Sequence, residues 1–245
     1  MSDSITQAVI LAAGRGSRLA ASHSHPEEFS KPLLEVGGRT LLGHSLYGCM
    51  EAGVEKVVVV TGYQSELVAR ESESFDRIEV STVYNDRWEE PNGVSVLAAR
   101  AAVSGDFLLL MADHLFDSSI LRDLATGRFD SDVVVAVDPN VSAIVDIEDA
   151  TKVVRESSRI VRIGKDLVVF DAVDCGLFRC SHTLFDAIET ASRGSPPSLT
   201  VGLRQLIRSG GSFTAMEIGE RWWQDVDTPE MASVASRILS RESGD

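Results

Sequence analysis

The sequence predicts an α/β fold: a Rossmann-like, doubly wound sheet, mixed but mainly parallel, with an appended small β layer. Three observations predict it. Short runs without a polar face, Ala8–Ala12 (AVILA), Lys56–Thr61 (KVVVVT), Phe107–Ala112 (FLLLMA) and Val133–Val137 (VVVAV), alternate with helix-patterned segments. Strands apolar on both sides belong to a parallel sheet covered on both faces. A glycine-rich loop follows the first run directly, and beyond residue 140 closely spaced strands of hairpin type replace the alternation.

In chain order, Thr40–Ala52 carries apolar residues at helical spacing and ends at Gly53, a C-cap residue. Ser65–Ser72, Val94–Val103 and Ser118–Ala125 read as helices, and Ile78–Tyr84 as a strand. Thr151–Arg155, Ile160–Gly164 and Val168–Phe178 read as strands, with a turn around Glu156–Arg159. Helices follow at Thr183–Ala191 and Leu199–Arg208, separated by Pro196 and Pro197. A strand at Phe213–Ile218 and a helix from Pro229, capped by Thr228, complete the pattern. No repeat, linker or low-complexity tract interrupts residues 1–245, so one domain is expected.

Composition narrows the function. Lys+Arg is 23 against Asp+Glu 37, a formal net charge of −14. Such a surface repels nucleic-acid phosphates, so no nucleic-acid partner is expected. Only four residues are lysine: Lys31, Lys56, Lys152 and Lys165. No apolar run approaches the roughly 20 residues of a membrane span, and no secretory leader pattern opens the chain, which predicts a cytoplasmic protein. Cys49, Cys175 and Cys180 lack the pairing of a zinc site or disulfide framework and read as buried thiols.

The strongest chemical signal is Leu11-Ala12-Ala13-Gly14-Arg15-Gly16-Ser17-Arg18-Leu19. In open α/β sheets, ligands bind outside the carboxyl ends of strands. Gly14 and Gly16 allow close backbone approach, and Arg15 and Arg18 add donors suited to phosphate. The loop matches neither G-x-G-x-x-G nor the Walker A pattern, which disfavours a dinucleotide-dependent oxidoreductase. Lys31-Pro32-Leu33-Leu34 follows a polar stretch holding His23 and His25, which read as solvated loop residues. Lys31, a scarce lysine at a proline-fixed turn, reads as a mobile cation for phosphate and not as a core residue.

L-A-A-G-x-G-x-R-L followed by K-P-L resembles the sugar-phosphate nucleotidyltransferases. That resemblance implies the nucleotidyltransferase type of the predicted fold, and the joining of a nucleoside triphosphate to a phosphorylated sugar, polyol or choline with release of pyrophosphate. It also implies Mg²⁺ held by two aspartates. Asp113, after the strand Phe107–Ala112, and Asp225, in Trp222-Trp-Gln-Asp-Val-Asp-Thr, fit those positions, with Asp227 one step beyond.

Tyr84–Ser95 (YNDRWEEPNGVS) looks like the nucleotide-side segment of the cytidylyltransferases acting on inositol phosphate and phosphocholine. The order of Ala150-Thr-Lys152, Ile163–Leu167, Phe170–Phe178 and Trp223–Thr228 is similar to those using CTP and inositol 1-phosphate. Those are often fused to a membrane synthase, so this chain is expected to be a stand-alone form. The resemblance makes 1–140 the nucleotide-binding half and 141–245 the acceptor-binding half. Leu11, Ala12, Ala13, Gly14 and Gly16 would then cradle the triphosphate. Arg15 would neutralise the developing pyrophosphate with Arg18 beside it, and Lys31 would bridge the α-phosphate and the attacking phosphate. Asn92, Gly93 and Ser95 would meet base or ribose. Lys165 would hold the acceptor phosphate, with Lys152 a second candidate, and Asp174 and Gly176 would line the acceptor pocket. The partners implied are CTP and a small phosphorylated alcohol, with a homodimer left open. Phosphocholine or phosphonate cytidylyltransferases, and sugar-1-phosphate uridylyl- or thymidylyltransferases, are the neighbouring alternatives. His23–Phe29 lengthens the loop before Lys31, and Cys175 stands where threonine is familiar. The cations so placed predict a cationic cleft in an acidic shell.

Overall fold

A computed structural model describes residues 4–242. Its strands are β1 (Gln7–Ala12), β2 (Glu35–Val36), β3 (Arg39–Thr40), β4 (Lys56–Thr61), β5 (Glu79–Tyr84), β6 (Phe107–Met111), β7 (His114–Phe116), β8 (Val133–Asp138), β9 (Lys152–Glu156), β10 (Arg159–Gly164), β11 (Ala172–Cys180), β12 (Phe213–Glu217) and β13 (Trp223–Asp225). Its α-helices are α1 (Ser17–Ala20), α2 (Leu41–Glu51), α3 (Ser65–Glu73), α4 (Gly93–Ala98), α5 (Ser118–Thr126), α6 (Thr183–Ala191), α7 (Leu199–Arg208) and α8 (Pro229–Glu242).

Nine strands form one sheet in the order β5-β4-β1-β6-β11-β8-β12-β10-β9. β11 and β10 run against the rest, because β1, β4, β5 and β6 pair in parallel, as do β8 and β12. The mixed, mainly parallel sheet is therefore as expected. The β-rich second half extends this same sheet: β11 inserts between β6 and β8, and the hairpin β9–β10 forms its edge.

The apolar runs are continuous because both faces are buried. Val9, Val58, Val60 and Leu109 face one core with Leu184, Phe185 and Leu203 of α6 and α7. Ala8, Ile10, Val57, Val59 and Leu110 face the other with Leu42, Leu46, Ile120 and Leu121 of α2 and α5. Alternate residues thus enter opposite cores, as pleating requires. A third cluster joins Leu19, Phe29 and Leu41 to Leu115, Val226 and Ala235, packing α8 beneath the loops of the first half.

Local chemistry sets most boundaries. The Thr40 hydroxyl accepts from Gly43 N at 2.9 Å and the Asp117 carboxylate from Ser119 N at 2.9 Å, which satisfies free N–H groups at the starts of α2 and α5. Gly53 has φ 83 and ends α2 as expected. Two expectations shorten. The helix expected over Val94–Val103 stops at Ala98 and tightens into a 3₁₀ turn at Arg100–Ala102. The strand expected from Val168 begins at Ala172, leaving Val168 and Val169 exposed. The sheets β2–β3 and β7–β13 were not expected. The first turns through Gly37-Gly38, both at positive φ, a hairpin signal legible in the sequence.

Candidate active site

The carboxyl ends of β1, β6 and β8 open on one edge of the sheet, and two adjoining cavities lie there. The smaller, about 260 Å³, is lined by Leu11, Ala12, Gly14, Gly16, Arg18, Lys31, Asp113 and Asp227. The larger, about 450 Å³, includes Asn92, Asp113, His114, Asp138, Asp149, Lys165, Asp174, Gly176, Asp225 and Asp227.

Two devices assemble their junction. Gly16 has φ 69, and a Cβ there would stand 2.4 Å from Cβ of Lys31, so only glycine lets the Lys31 stem lie against the loop. Gly14 has no such constraint, since a Cβ there meets nothing within 4 Å. The second device is the ribbon β7–β13. Its register sets Asp225 opposite His114, and Val226 N donates to Asp113 O at 3.0 Å. Two carboxylates far apart in sequence are thereby fixed side by side.

Lys31 is the hub. Its side chain is 7% exposed, and its ammonium pairs with Asp113 and Asp227, with Asp225 at 3.9 Å. Burial opposes its charge, but the three carboxylates outweigh burial and hold the amine protonated well above the ordinary lysine range. Burial likewise opposes ionisation of Asp113, yet Lys31 and a hydrogen bond from His114 Nδ1 at 2.8 Å hold it below the carboxylate range. Burial is not overcome at Asp225, which is pushed up to about 7. His114, desolvated but beside Asp225 and Asp113, is raised to about 9, and its ring stacks on Trp223 at 5.9 Å. The buried position of Lys31 corrects its reading as a mobile, non-core cation.

Asp113, His114 and Asp225 bring ligand atoms within 4.8 Å of one another. Asp225 Oδ1 is buried without a hydrogen-bond partner, as a ligand oxygen awaiting a cation would be. This donor set fits a hard divalent cation through its carboxylates, with His114 holding Asp113 in place.

Among the other predicted residues, Lys165 and Asp174 line the larger cavity. Asp174 sits at a register irregularity in β11, where Gly176 has φ 74 and a Cβ would meet the His114 ring at 2.6 Å. Asp174 still pairs with Val137 and the bulge follows it, while its carboxylate accepts from Gly176 N at 2.7 Å. Asn92 lines the same cavity while its Oδ1 accepts from Leu199 N at 2.9 Å. Gly93 provides packing room, since a Cβ would lie 2.4 Å from the Pro197 carbonyl. Ala13 is buried and accepts from Tyr63 N at 3.0 Å.

Five predicted residues line neither cavity: Ala13 and Gly93, and with them Arg15, Ser95 and Lys152. Arg15 is exposed and lies over the Tyr63 ring at 5.3 Å. Ser95 is buried, its hydroxyl accepting from Asn85 Nδ2 at 3.0 Å. Lys152 is buried, and its ammonium donates to the carbonyls of Glu148 at 3.2 Å and Lys165 at 2.9 Å. Nor is the cleft simply cationic: Arg18 pairs with Asp227 and Asp149, and Lys165 with Asp149. His114, Asp138, Asp149 and Trp223 were not singled out as site residues. Asp113-His114 and the end of Val133–Asp138 were readable as polar residues at strand ends; the Asp149 pairing crosses 131 positions to Arg18 and was not.

Ser95→Ala should lower stability by about 1–2 kcal/mol through the orphaned Asn85 amide, with the nucleotide KM unchanged; urea unfolding and steady-state kinetics check this. Asp174 is pushed up to about 6 by burial, against pulls from Gly176 N–H and His114. A carboxyl whose folded value exceeds its unfolded one holds an extra proton when folded, so stability falls as pH rises between the two. Asp174→Asn should therefore match wild type near pH 4 and exceed it at pH 7.5; chemical unfolding at both values measures the crossover.

A glycine loop at the end of the first strand, and a lysine ringed by paired aspartates, define a nucleotidyltransferase. The pattern described as MobA-like NTP transferase domain matches residues 8–210, and the chain belongs to that family. The chain is 36% identical over 233 residues to the bifunctional IPC transferase and DIPP synthase of Rubrobacter xylanophilus, covering 95% of this chain and 51% of that protein. It spans about half the length of the curated relatives of that name. The UTP–glucose-1-phosphate uridylyltransferase of Haloferax volcanii is 26% identical over 247 residues, covering 97% of this chain and 98% of that one. The inositol-1-phosphate CTP transferase from T. maritima superposes with a TM-score of 0.85 at 25% identity, covering 98% and 97% of the two chains. Among the described residues, no helix is long and apolar enough to cross a membrane.

Proposed function

We propose that the chain transfers a cytidylyl group from CTP to inositol 1-phosphate, releasing pyrophosphate. The observation that carries this reading is Lys31, held between Asp113, Asp225 and Asp227 where the two cavities meet. The likeness to the Rubrobacter and T. maritima proteins supports the choice of substrates.

An oxygen of the acceptor's phosphate attacks the α-phosphorus of CTP. A new P–O bond forms as the bond to the β-phosphate oxygen breaks, and the electron pair leaves with pyrophosphate. A phosphomonoester is already nucleophilic at neutral pH, so the protein's task is positioning and charge neutralisation. The smaller cavity, with Gly14, Gly16 and Arg18, takes the triphosphate. The larger takes the acceptor, with Lys165 near its phosphate, and Asp174 and Asp138 accepting from its hydroxyls. Lys31 stands between them and neutralises charge on both reacting phosphates. Mg²⁺ bound by Asp113 and Asp225 would add Lewis-acid neutralisation of the α-phosphate.

A pyrophosphate-release assay tests the reading, with CTP, UTP, dTTP, GTP and ATP each offered inositol 1-phosphate, phosphocholine, a phosphonate and glucose 1-phosphate. Turnover with CTP and inositol 1-phosphate is expected. Turnover with UTP and glucose 1-phosphate instead, the reaction in the Haloferax protein's name, would overturn it.

A further inference from the structure

Asp149 lies in the connection between β8 and β9. One carboxylate oxygen receives Arg18 at 2.7 Å and the other receives Lys165 Nζ at 2.7 Å. Arg18 lies in α1, directly after the glycine loop, and lines the smaller cavity; Lys165 follows β10 and lines the larger. A single carboxylate thus joins cations from both halves of the site, one per oxygen. Two oxygens of a phosphate can make the same pair of contacts.

The geometry points to Asp149 as an internal stand-in for a substrate phosphate, which an incoming phosphomonoester dianion must displace from Arg18 and Lys165. The assignment rests on the reading that phosphorylated substrates enter these cavities. Three observations support exchange. The participants are accessible: the side chains of Arg18, Lys165 and Asp149 are 50%, 56% and 36% exposed. Ion pairs of that exposure are weak and screened by salt. The backbone beside Asp149 is braced, so exchange requires only its side chain to turn away. Buried Lys152 donates to the carbonyls of Glu148 and Lys165, tying the chain next to Asp149 to the residue that carries the second cation. Asp149's own N–H donates to Asp146 Oδ1 at 3.3 Å. Arg18 also keeps Asp227, so displacement of Asp149 does not release it from the site.

The clamp gives a selection rule. A phosphomonoester dianion brings twice the charge of the carboxylate it replaces and outcompetes it. A phosphodiester, with a single negative charge, offers no electrostatic advantage over a carboxylate already in place. Asp149 would then exclude diesters and monoanions from the position between the two cations, and this acidic cleft would admit a phosphate by exchange and not by a standing excess of positive charge.

Inorganic phosphate and dimethyl phosphate, the second a monoanion, are the probes, titrated calorimetrically at pH 8 without nucleotide. Asp149→Asn and Asp149→Ser are compared with wild type, and thermal midpoints establish that each variant is folded. Both variants should bind inorganic phosphate about tenfold tighter, and should bind dimethyl phosphate measurably where wild type does not. In turnover, the KM for the phosphorylated acceptor should fall without a rise in kcat. Phosphate affinity equal to or below wild type in both folded variants would overturn the assignment. So would a loss of folding in both, because Asp149 would then be a structural counter-ion. If the variants gain phosphate affinity while no acceptor supports turnover with CTP, the clamp stands and the cytidylyl reading fails.

Discussion

Lys31→Ala is expected to reduce nucleotidyl transfer at least about a hundredfold, the scale of removing one charge-stabilising donor from a reacting oxygen. It is also expected to lower stability by about 3 kcal/mol at neutral pH, because it strips a buried cation from three carboxylates. The sign of the pH dependence follows from the partners. The lysine is raised, so its contribution is present below the ordinary lysine value of 10.5. Asp113 is depressed, so its contribution is present above the ordinary carboxylate value of 3.8 and fades as pH falls through its folded value. The stability gap should therefore be widest between those two values and close in acid. Urea unfolding at pH 7.5 and in acid, with pyrophosphate release at pH 7.5, tests both halves. A variant retaining more than about a tenth of the wild-type rate, a barrier change below 1.4 kcal/mol, would remove Lys31 from the reaction.

How far the site was legible depends on the range of the interaction that builds each part. The sheet was legible, because burial on two faces writes unbroken apolar runs and Val9 and Ile10 need only enter opposite cores. The glycine loop was legible for a local reason: the backbone at Gly16 must take a left-handed turn and leave room for a neighbour. That the neighbour is Lys31 was not, nor was the burial of that lysine, which depends on aspartates 82 to 196 positions away. A polar residue on a loop also reads the same whether it faces a ligand or its own backbone. Lys165 and, second to it, Lys152 both read as candidates for the acceptor phosphate; the fold turned Lys152 into a strut between two carbonyls and left Lys165 at the cleft. Ser95 followed the same course, with Asn85 as its partner ten residues upstream.

Asp113→Asn should abolish most activity while costing far less stability than Lys31→Ala, and the contrast is the informative part. In wild type one Asp113 oxygen meets Lys31 and the other accepts from His114. The amide keeps a similar shape but removes one negative charge from between two cations. Asp225 can replace that charge. Its carboxyl is raised to about 7 by burial and, among its neighbours, by the charge of Asp113, so without that charge it ionises more readily beside Lys31 and His114. The folded state thus has a built-in compensation, which Lys31→Ala lacks because no spare cation occupies the same position. The proposed cation site would have no such reserve. One of its two carboxylate ligands would be gone, and the remaining one would be drawn toward the lysine. A titration of activity against Mg²⁺ should show a midpoint shifted at least about tenfold upward, the scale of losing a metal-site contact. Asp225→Asn should show the same shift, because the amide lacks the negative charge that the orphaned Oδ1 of the carboxylate shares. Identical Mg²⁺ titrations for wild type and both variants would mean that these carboxylates serve only to hold Lys31, and that any divalent cation acts elsewhere on the nucleotide.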